Sequence, residues 1–444
     1  MRAVIEVEPT DRNGRCFLTW APVRATLRLE DADRTVGGHD VTLRNAGPAG
    51  GGRVVFSTRF TQSDDAELRL QQVASDGTPR TFWVAGEFRS PSTAYGDVVI
   101  EAVDNSNAVI GKRDGMVRVR KNAVALTAAE RDLFLDALGQ LNDAGGGPFR
   151  AFRDMHVAAS APEAHGAAGF LAWHRAYLLD LERCLQEIEP AVALPYWRFD
   201  EAAPSLFVPE FLGSPSNSPG ASDLVVFRPG HALEFWTTDG VVGIARRPRW
   251  DITFAPTTNV SIGGGTIPAV LTEGDTFELG GSQDRYAGFR RMEANPHGAA
   301  HVRFTGPVNS VPTAARDPLF FLLHTNVDRL WARWQWLNRR SNADDPSAYS
   351  VFGTSRPDGG GTVGHRLDDT MWPWNQDRVA PRPDFVPPRA GLPPSPYATA
   401  PGTGTPRVRD MIDFHGLYSR GSLGFSYDDV PFEIETLETE EAIV

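Results

Sequence analysis

Ten histidines are spread along this chain, and six of them fall into two triplets. The first triplet is His156, His165 and His174, at equal steps of nine; the second is His297, His301 and His324. His174 stands at the head of the run WHRAYLLDLERCLQEIEP. There His174, Leu178, Leu181, Leu185 and Ile188 recur at three- and four-residue spacing, the signature of one helix face. Pro190 ends that helix. His324 repeats the arrangement. Asp317 and Pro318 suit an N-cap and a first helical position, and Phe320, His324, Val327, Trp331 and Trp334 follow as one stripe. His297 and His301 are four apart, so on a helix they share a face.

A single histidine on an apolar stripe is ordinarily a satisfied core residue. Six in two triplets, four of them at inward helical positions, are another matter. Burying that many imidazoles without partners costs free energy at each one, and metal coordination satisfies them together. Imidazole suits zinc, copper, iron and nickel. An all-histidine set disfavours a di-iron bundle, which uses Glu and Glu-x-x-His. HGAAH at 297–301 is not the metalloprotease motif, because Gly298 stands where HExxH needs its glutamate. Two three-histidine sites on facing helices fit a pair of coppers working with dioxygen.

Composition narrows the function classes. The 444 residues allow one to three domains. A hydrophobic content of 41% and a charged content of 23% are ordinary for a soluble globular protein. A net charge of −12 argues against a nucleic-acid or anionic-membrane partner. The two cysteines, Cys16 and Cys184, are too few for a secreted disulfide scaffold and read as reduced thiols, with a single bridge between them left open. MRAVIEVEPTD lacks the apolar run of a signal peptide, and no stretch approaches the roughly 20 apolar residues of a membrane span. The expected location is cytoplasmic, or exported without a recognisable signal peptide.

Along the chain, residues 1–121 read as all-β. Alternating runs at 25–30, 40–46, 53–60, 66–73, 81–88, 97–104 and 116–121 are separated by Gly, Asp, Pro and Ser clusters. Seven short strands at this spacing predict a β-sandwich of immunoglobulin-like kind; with one cysteine in the region, a disulfide-bonded antibody type is excluded. The character changes at Thr127, where Thr127-Ala128-Ala129-Glu130 is a capping box opening a helix to about Leu141. Beyond it the chain is helical in blocks. The expected architecture is therefore α+β and multidomain: a β-sandwich over 1–121, then a mainly α catalytic domain over 122–430 with a four-helix bundle holding two coppers. A Pro/Gly-rich wrap at about 357–406 and an acidic tail at 431–444 complete it.

Over about residues 120–430 the sequence resembles the type-3 copper proteins: tyrosinases, catechol oxidases and other polyphenol oxidases, and molluscan haemocyanin units. FLAWHRAYLLDLE (170–182) is similar to the family's first copper motif and DPLFFLLHTNVDRLWARWQ (317–335) to its second. EANPHGAAH (293–301), LPYW (194–197) and MWPWN (371–375) resemble further family segments. The resemblance implies that His156, His165 and His174 hold one copper and His297, His301 and His324 the other, in a bacterial-type member with an added N-terminal β-domain. Glu163 stands two residues before His165, so the cysteine–histidine thioether of many relatives is absent, as in bacterial members. Leu323 replaces the histidine that often precedes the last ligand.

The implied activity is copper-dependent oxidation of o-diphenols to o-quinones with dioxygen, extending to ortho-hydroxylation of monophenols. An o-aminophenol oxidase and an oxygen-binding protein are the alternatives. A monophenol must first lose a proton from a group with a pKa of about 10. Glu293, four before His297, matches a glutamate that holds a water in plant-type relatives; Gly298 stands where asparagine is often found and has no side chain to orient that water. Val311 matches a gate position thirteen residues before His324, and Val302 an apolar wall. Asn326 and Asp328 are expected to steady ligand imidazoles by hydrogen bonds. His39, His231, His365 and His415 are left as surface or core residues. The implied partners are small phenols, with no nucleic acid and no membrane; a homo-oligomer and a copper chaperone are left open.

Overall fold

The computed structural model describes residues 1–8, 10–35, 37–213, 223–238, 240–281, 285–349, 363–387, 405–419 and 421–433. Residues 357–362 and 388–404 of the expected wrap, and residues 434–444 of the expected tail, lie outside these. The chain divides into two compact units. One is built on Met1–Val119 together with the described residues from His415 on. The other is built on the described residues between Arg120 and Phe414.

The first unit is two sheets over one core. Its strands are β1 (Arg2–Val7), β2 (Cys16–Leu18), β3 (Val23–Glu30), β4 (Gly38–Asn45), β5 (Val54–Ser57), β6 (Glu67–Ala74), β7 (Arg80–Gly86), β8 (Val98–Val103) and β9 (Val109–Val117). One sheet runs β1-β3-β7-β5, the other β2-β9-β8-β4-β6. Pairing is antiparallel except for β2 beside β9. Alternation does the sorting: in β3, Ala25, Leu27 and Leu29 are buried while the residues between them are half-exposed. Leu27, Phe56 and Phe82 from one sheet meet the same core as Val41, Leu43, Ile100 and Val117 from the other.

Two strands and one boundary differ from expectation. β1 and the three-residue β2 were not expected, and the last strand covers Val109–Val117, not 116–121. VIGKRDGMV hides its strand character behind glycines and charges. Gly111 is required there, because a Cβ on it would lie 2.3 Å from the Ala3 carbonyl oxygen. The expected domain limit at 430 also differs, since Leu417 and Phe432 are apolar and pack on the β core, and Trp20 Nε1 donates to the Tyr427 carbonyl at 2.7 Å.

The second unit is mainly helical: α1 (Ala128–Asn142), α2 (Phe149–Met155), α3 (Ala161–Ala164), α4 (Phe170–Ile188), α5 (Glu273–Phe277), α6 (Tyr286–Phe289), α7 (Ala299–Val302) and α8 (Leu319–Asn338). The capping box forms as read: Thr127 Oγ1 accepts from Glu130 N at 3.2 Å and Glu130 Oε2 accepts from Thr127 N at 2.9 Å. At the head of α8, Asp317 Oδ1 accepts from Leu319 N at 2.9 Å and also pairs with the buried Arg246. α4 starts at Phe170, ahead of Trp173, since nothing in Phe170-Leu171-Ala172 opposes a helix. It packs against both α1 and α8. Both long helices are buried on nearly every face, so their charged residues must find partners inside. Among the described residues no helix is long and apolar enough to cross a membrane, and neither cysteine forms a disulfide.

Candidate metal centre

All six histidines arrive at one place from separate elements. His156 directly follows α2, His165 directly follows α3, and His174 lies in the second turn of α4. His297 sits in the wide helical turn before α7, His301 in α7, and His324 in the second turn of α8. Within each triplet the candidate ligand nitrogens lie within 4.8 Å of one another. In the first, His156 Nε2 is 3.0 Å from His165 Nε2. In the second, His324 Nε2 is 3.2 Å from His297 Nε2 and 3.3 Å from His301 Nε2.

The opposite ring nitrogens explain the tautomers. His156 Nδ1 faces the Val311 carbonyl at 2.9 Å, His174 Nδ1 that of Phe170 at 2.8 Å, His297 Nδ1 that of Glu293 at 2.7 Å, and His301 Nδ1 that of Val308 at 2.6 Å. A carbonyl only accepts, so these four rings carry their proton on Nδ1 and leave Nε2 as a bare lone pair. His165 Nδ1 lies 3.3 Å from Glu293 Oε1. His174 Nε2 is buried with no hydrogen-bond partner. Lone pairs converging on a shared point, with no proton between them, are what a cation accounts for.

Burial, reinforced by the neighbouring imidazoles, holds His156, His174, His297 and His324 well below the usual histidine range, and burial pushes His301 down to about 4. The rings are neutral at pH 7 and ready to ligate. Phe320 lies 4.2 Å from the His324 ring and 4.7 Å from that of His156, and Phe170 lies 4.7 Å from the His174 ring. This donor set, imidazole only and aromatically walled, fits copper ions.

The site opens into a cavity of about 1070 Å³ lined by His156, His165, His297 and His301. Glu293, Gly298, Val302 and Val311 line the same cavity. Glu293 Oε1 also accepts from Gly166 N at 2.7 Å, so this carboxylate ties down the loop that carries His165. Val311 is 38% exposed, while its carbonyl holds His156 from behind.

Asn326 and Asp328 do not steady imidazoles, contrary to expectation. Asn326 Oδ1 accepts from Arg329, and Asp328 accepts from Arg120 at 3.0 Å and Arg175 at 2.5 Å. Asp328 is one helical turn beyond His324, deeper in the unit, where buried guanidiniums need carboxylates; Glu182 serves Arg120 as well.

His365 had no assigned role, yet it clamps the His165 loop from outside. It is fully buried, its Nδ1 accepts from Gly169 N at 3.0 Å, and its Nε2 donates to the Pro162 carbonyl at 3.1 Å. Beside it Glu163 pairs with Arg382 at 2.7 Å and accepts from Trp372 N at 3.0 Å. The available signal was Glu163 itself, an acid two residues before His165 in an otherwise apolar stretch. His415 bonds to Ser426 Oγ in the β unit and His231 accepts from Leu233 N.

Several known proteins are similar to this chain. The sequence model of the common central domain of tyrosinase matches residues 147–337. A tyrosinase of Streptomyces antibioticus is 30% identical over 295 residues, covering 59% of this chain and 94% of that one. A tyrosinase of Streptomyces galbus is 31% identical over 284 residues, covering 59% and 95%. Among solved structures, a functional unit of octopus hemocyanin superposes with a TM-score of 0.42 at 18% identity, over 71% of this chain and 69% of that one. With six histidines gathered as two triads, and near full-length coverage of tyrosinases at this identity, the chain belongs to the tyrosinase family of type-3 copper polyphenol oxidases.

Proposed function

We propose that this protein oxidises o-diphenols to o-quinones with dioxygen at two copper ions. His156, His165 and His174 hold one ion, and His297, His301 and His324 the other. The observation that carries this is the set of Nδ1 bonds to carbonyls, which leaves Nε2 lone pairs aimed at two shared points beside an open cavity. In this reading α2, α4, α7 and α8 are the four helices of the bundle, each bearing a ligand within it or at its end.

Copper, when bound, supplies the redox couple between diphenol and dioxygen. The chain does the rest. Backbone carbonyls fix the planes of the imidazoles, and Phe170 and Phe320 keep water away from their inner faces. Val302 and Val311 give the substrate ring apolar walls. Glu293 has Oε1 committed to Gly166 N and His165, and Oε2 remains to take a phenolic proton. Gly298 offers no side chain to hold a water beside it, so diphenol oxidation runs ahead of monophenol hydroxylation.

The test is elemental analysis of the copper-loaded protein together with oxygen uptake on 4-methylcatechol, a monophenol and an o-aminophenol. Two coppers per chain and fastest uptake with the catechol are expected. Well under two coppers, or reversible oxygen binding without turnover, would overturn the reading; fastest uptake with the aminophenol would move it to an o-aminophenol oxidase.

A further inference from the structure

Two guanidinium groups at the cavity lack an acidic partner among the described residues. Arg290 and Arg291 both line it, Arg290 half-buried and Arg291 exposed. Neither forms a salt bridge with a described residue, and Arg290 Nε is buried without a hydrogen-bond partner. Glu293 is the one carboxylate among the lining residues, and its Oε1 already serves Gly166 N and His165. The remaining lining is imidazoles, small side chains and Asn309.

The chain has 56 acidic residues against 44 basic ones, and some of its exposed arginines pair with carboxylates, as Arg53 does with Glu87 and Arg407 with Asp410. Two adjacent arginines that form no salt bridge with a described residue, on the wall of the cavity that serves the metal centre, are matched by an anion arriving from solution. Guanidinium is also the group best shaped to hold a carboxylate with two hydrogen bonds.

We infer that the substrates are anionic phenols: aromatic rings carrying a carboxylate, which Arg290 and Arg291 hold while the hydroxyls face the histidine triads. This rests on the diphenol-oxidase reading and names the substrate class within it.

The test compares 3-(3,4-dihydroxyphenyl)propanoate with its methyl ester on the copper-loaded full chain, two probes with the same catechol and different charge. The acid is expected to exceed the ester in kcat/KM by about fivefold at low salt, mainly through KM, with the preference shrinking as salt rises. In the Arg290→Gln/Arg291→Gln double variant the ratio should fall to about one, and in Arg290→Lys/Arg291→Lys much of it should return. An ester equal to or better than the acid in the unaltered protein, or an unchanged ratio in the glutamine variant, overturns the inference.

Calorimetric titration with benzoate and with benzamide separates the two readings. Tighter benzoate binding that is lost in the glutamine variant supports the anion site even if neither catechol is consumed, an outcome in which only the oxidase reading fails. Equal binding of the two overturns the anion site.

Discussion

The imidazoles of His174 and His324 stack face to face, with centroids 4.3 Å apart and planes 15° from parallel. Each belongs to a different triad, and each sits in the second turn of a long buried helix, so the packing of α4 on α8 sets the distance between the two metal positions. Replacing either ring with alanine removes a ligand and the stacking partner of a ligand in the other triad. His174→Ala and His324→Ala are expected to bind about one copper per chain and to lose catechol oxidation by at least a hundredfold, roughly the upper range for disturbing a metal's surroundings. Full copper content with retained oxidation would place the ligands elsewhere.

Gly298 faces the cavity with φ of −60°, a conformation open to any residue, and a Cβ there would meet the Glu293 carbonyl oxygen at 3.3 Å. Asparagine therefore fits with a small adjustment and brings an amide beside Glu293. Gly298→Asn should raise the ratio of monophenol hydroxylation to diphenol oxidation by about tenfold, below the usual 10²–10⁴ span of proton-transfer catalysis. Steady-state rates on a matched phenol–catechol pair decide it; an unchanged ratio removes this position from proton handling.

His365 holds both ends of the loop that carries His165, through Gly169 N and the Pro162 carbonyl. His365→Ala should release that loop and speed copper loss from the first triad by about tenfold, the lower range for losing a ligand's support. Copper transfer to a chelator, followed with time, reads this directly. The second triad should lose its ion at the original rate, and equal loss from both would reduce His365 to general packing.

Asp328 takes hydrogen bonds from Arg120 and Arg175, and all three side chains are at most 1% exposed. Asp328→Ala takes a carboxylate from two buried guanidiniums, leaving Arg120 its Glu182 pair and Arg175 its bonds to Gln335 and the Met411 carbonyl, and should cost about 3 kcal/mol of stability, the lower end for a broken buried pair, measured by urea unfolding of the metal-free protein. A loss below about 1 kcal/mol would show that these remaining partners suffice.

Acid should weaken the metal-free protein early. Burial, then neighbouring imidazoles, depress His156, His174, His297 and His324 below their ordinary 6.5, and burial takes His301 to about 4. As pH falls through about 6.5 the unfolded chain takes up protons that the folded one refuses. The stability these rings contribute is therefore complete above pH 6.5 and is lost progressively below it, by up to about 1.4 kcal/mol per pH unit for each ring. Calorimetry should find a Tm that is level from pH 7 to 8 and falls steeply toward pH 5. A Tm unchanged between pH 7 and 5 contradicts the buried, neutral state of the histidines.

Features set by neighbouring residues are legible in the sequence alone. The apolar stripes through His174 and His324, the Thr127 capping box and the alternation of β3 all arise within one or two turns or pleats. The six candidate ligands, the cavity position of Glu293, Gly298, Val302 and Val311, and the switch from strands to helices near residue 120 follow from such patterns and from motif resemblance. β9 is obscured because its glycines answer to a strand elsewhere, Gly111 to the carbonyl of Ala3.

Partner choice needed the tertiary structure. Asp328 looked like support for a ligand because it is four residues from His324, but Arg120, 208 positions away, arrives beside it. His365 showed no pattern of its own, and it acts through Gly169, 196 positions away. The sequence by itself determined which residues would face inward and which could ligate, since helical and strand periodicity is a property of the local backbone. Only the tertiary structure decided which carbonyl orients each imidazole and which carboxylate answers each buried guanidinium. It alone placed Arg290 and Arg291 on the cavity wall with no salt bridge to a described residue. Those pairings join distant segments, and burial makes each polar group take whatever partner the packing brings within reach.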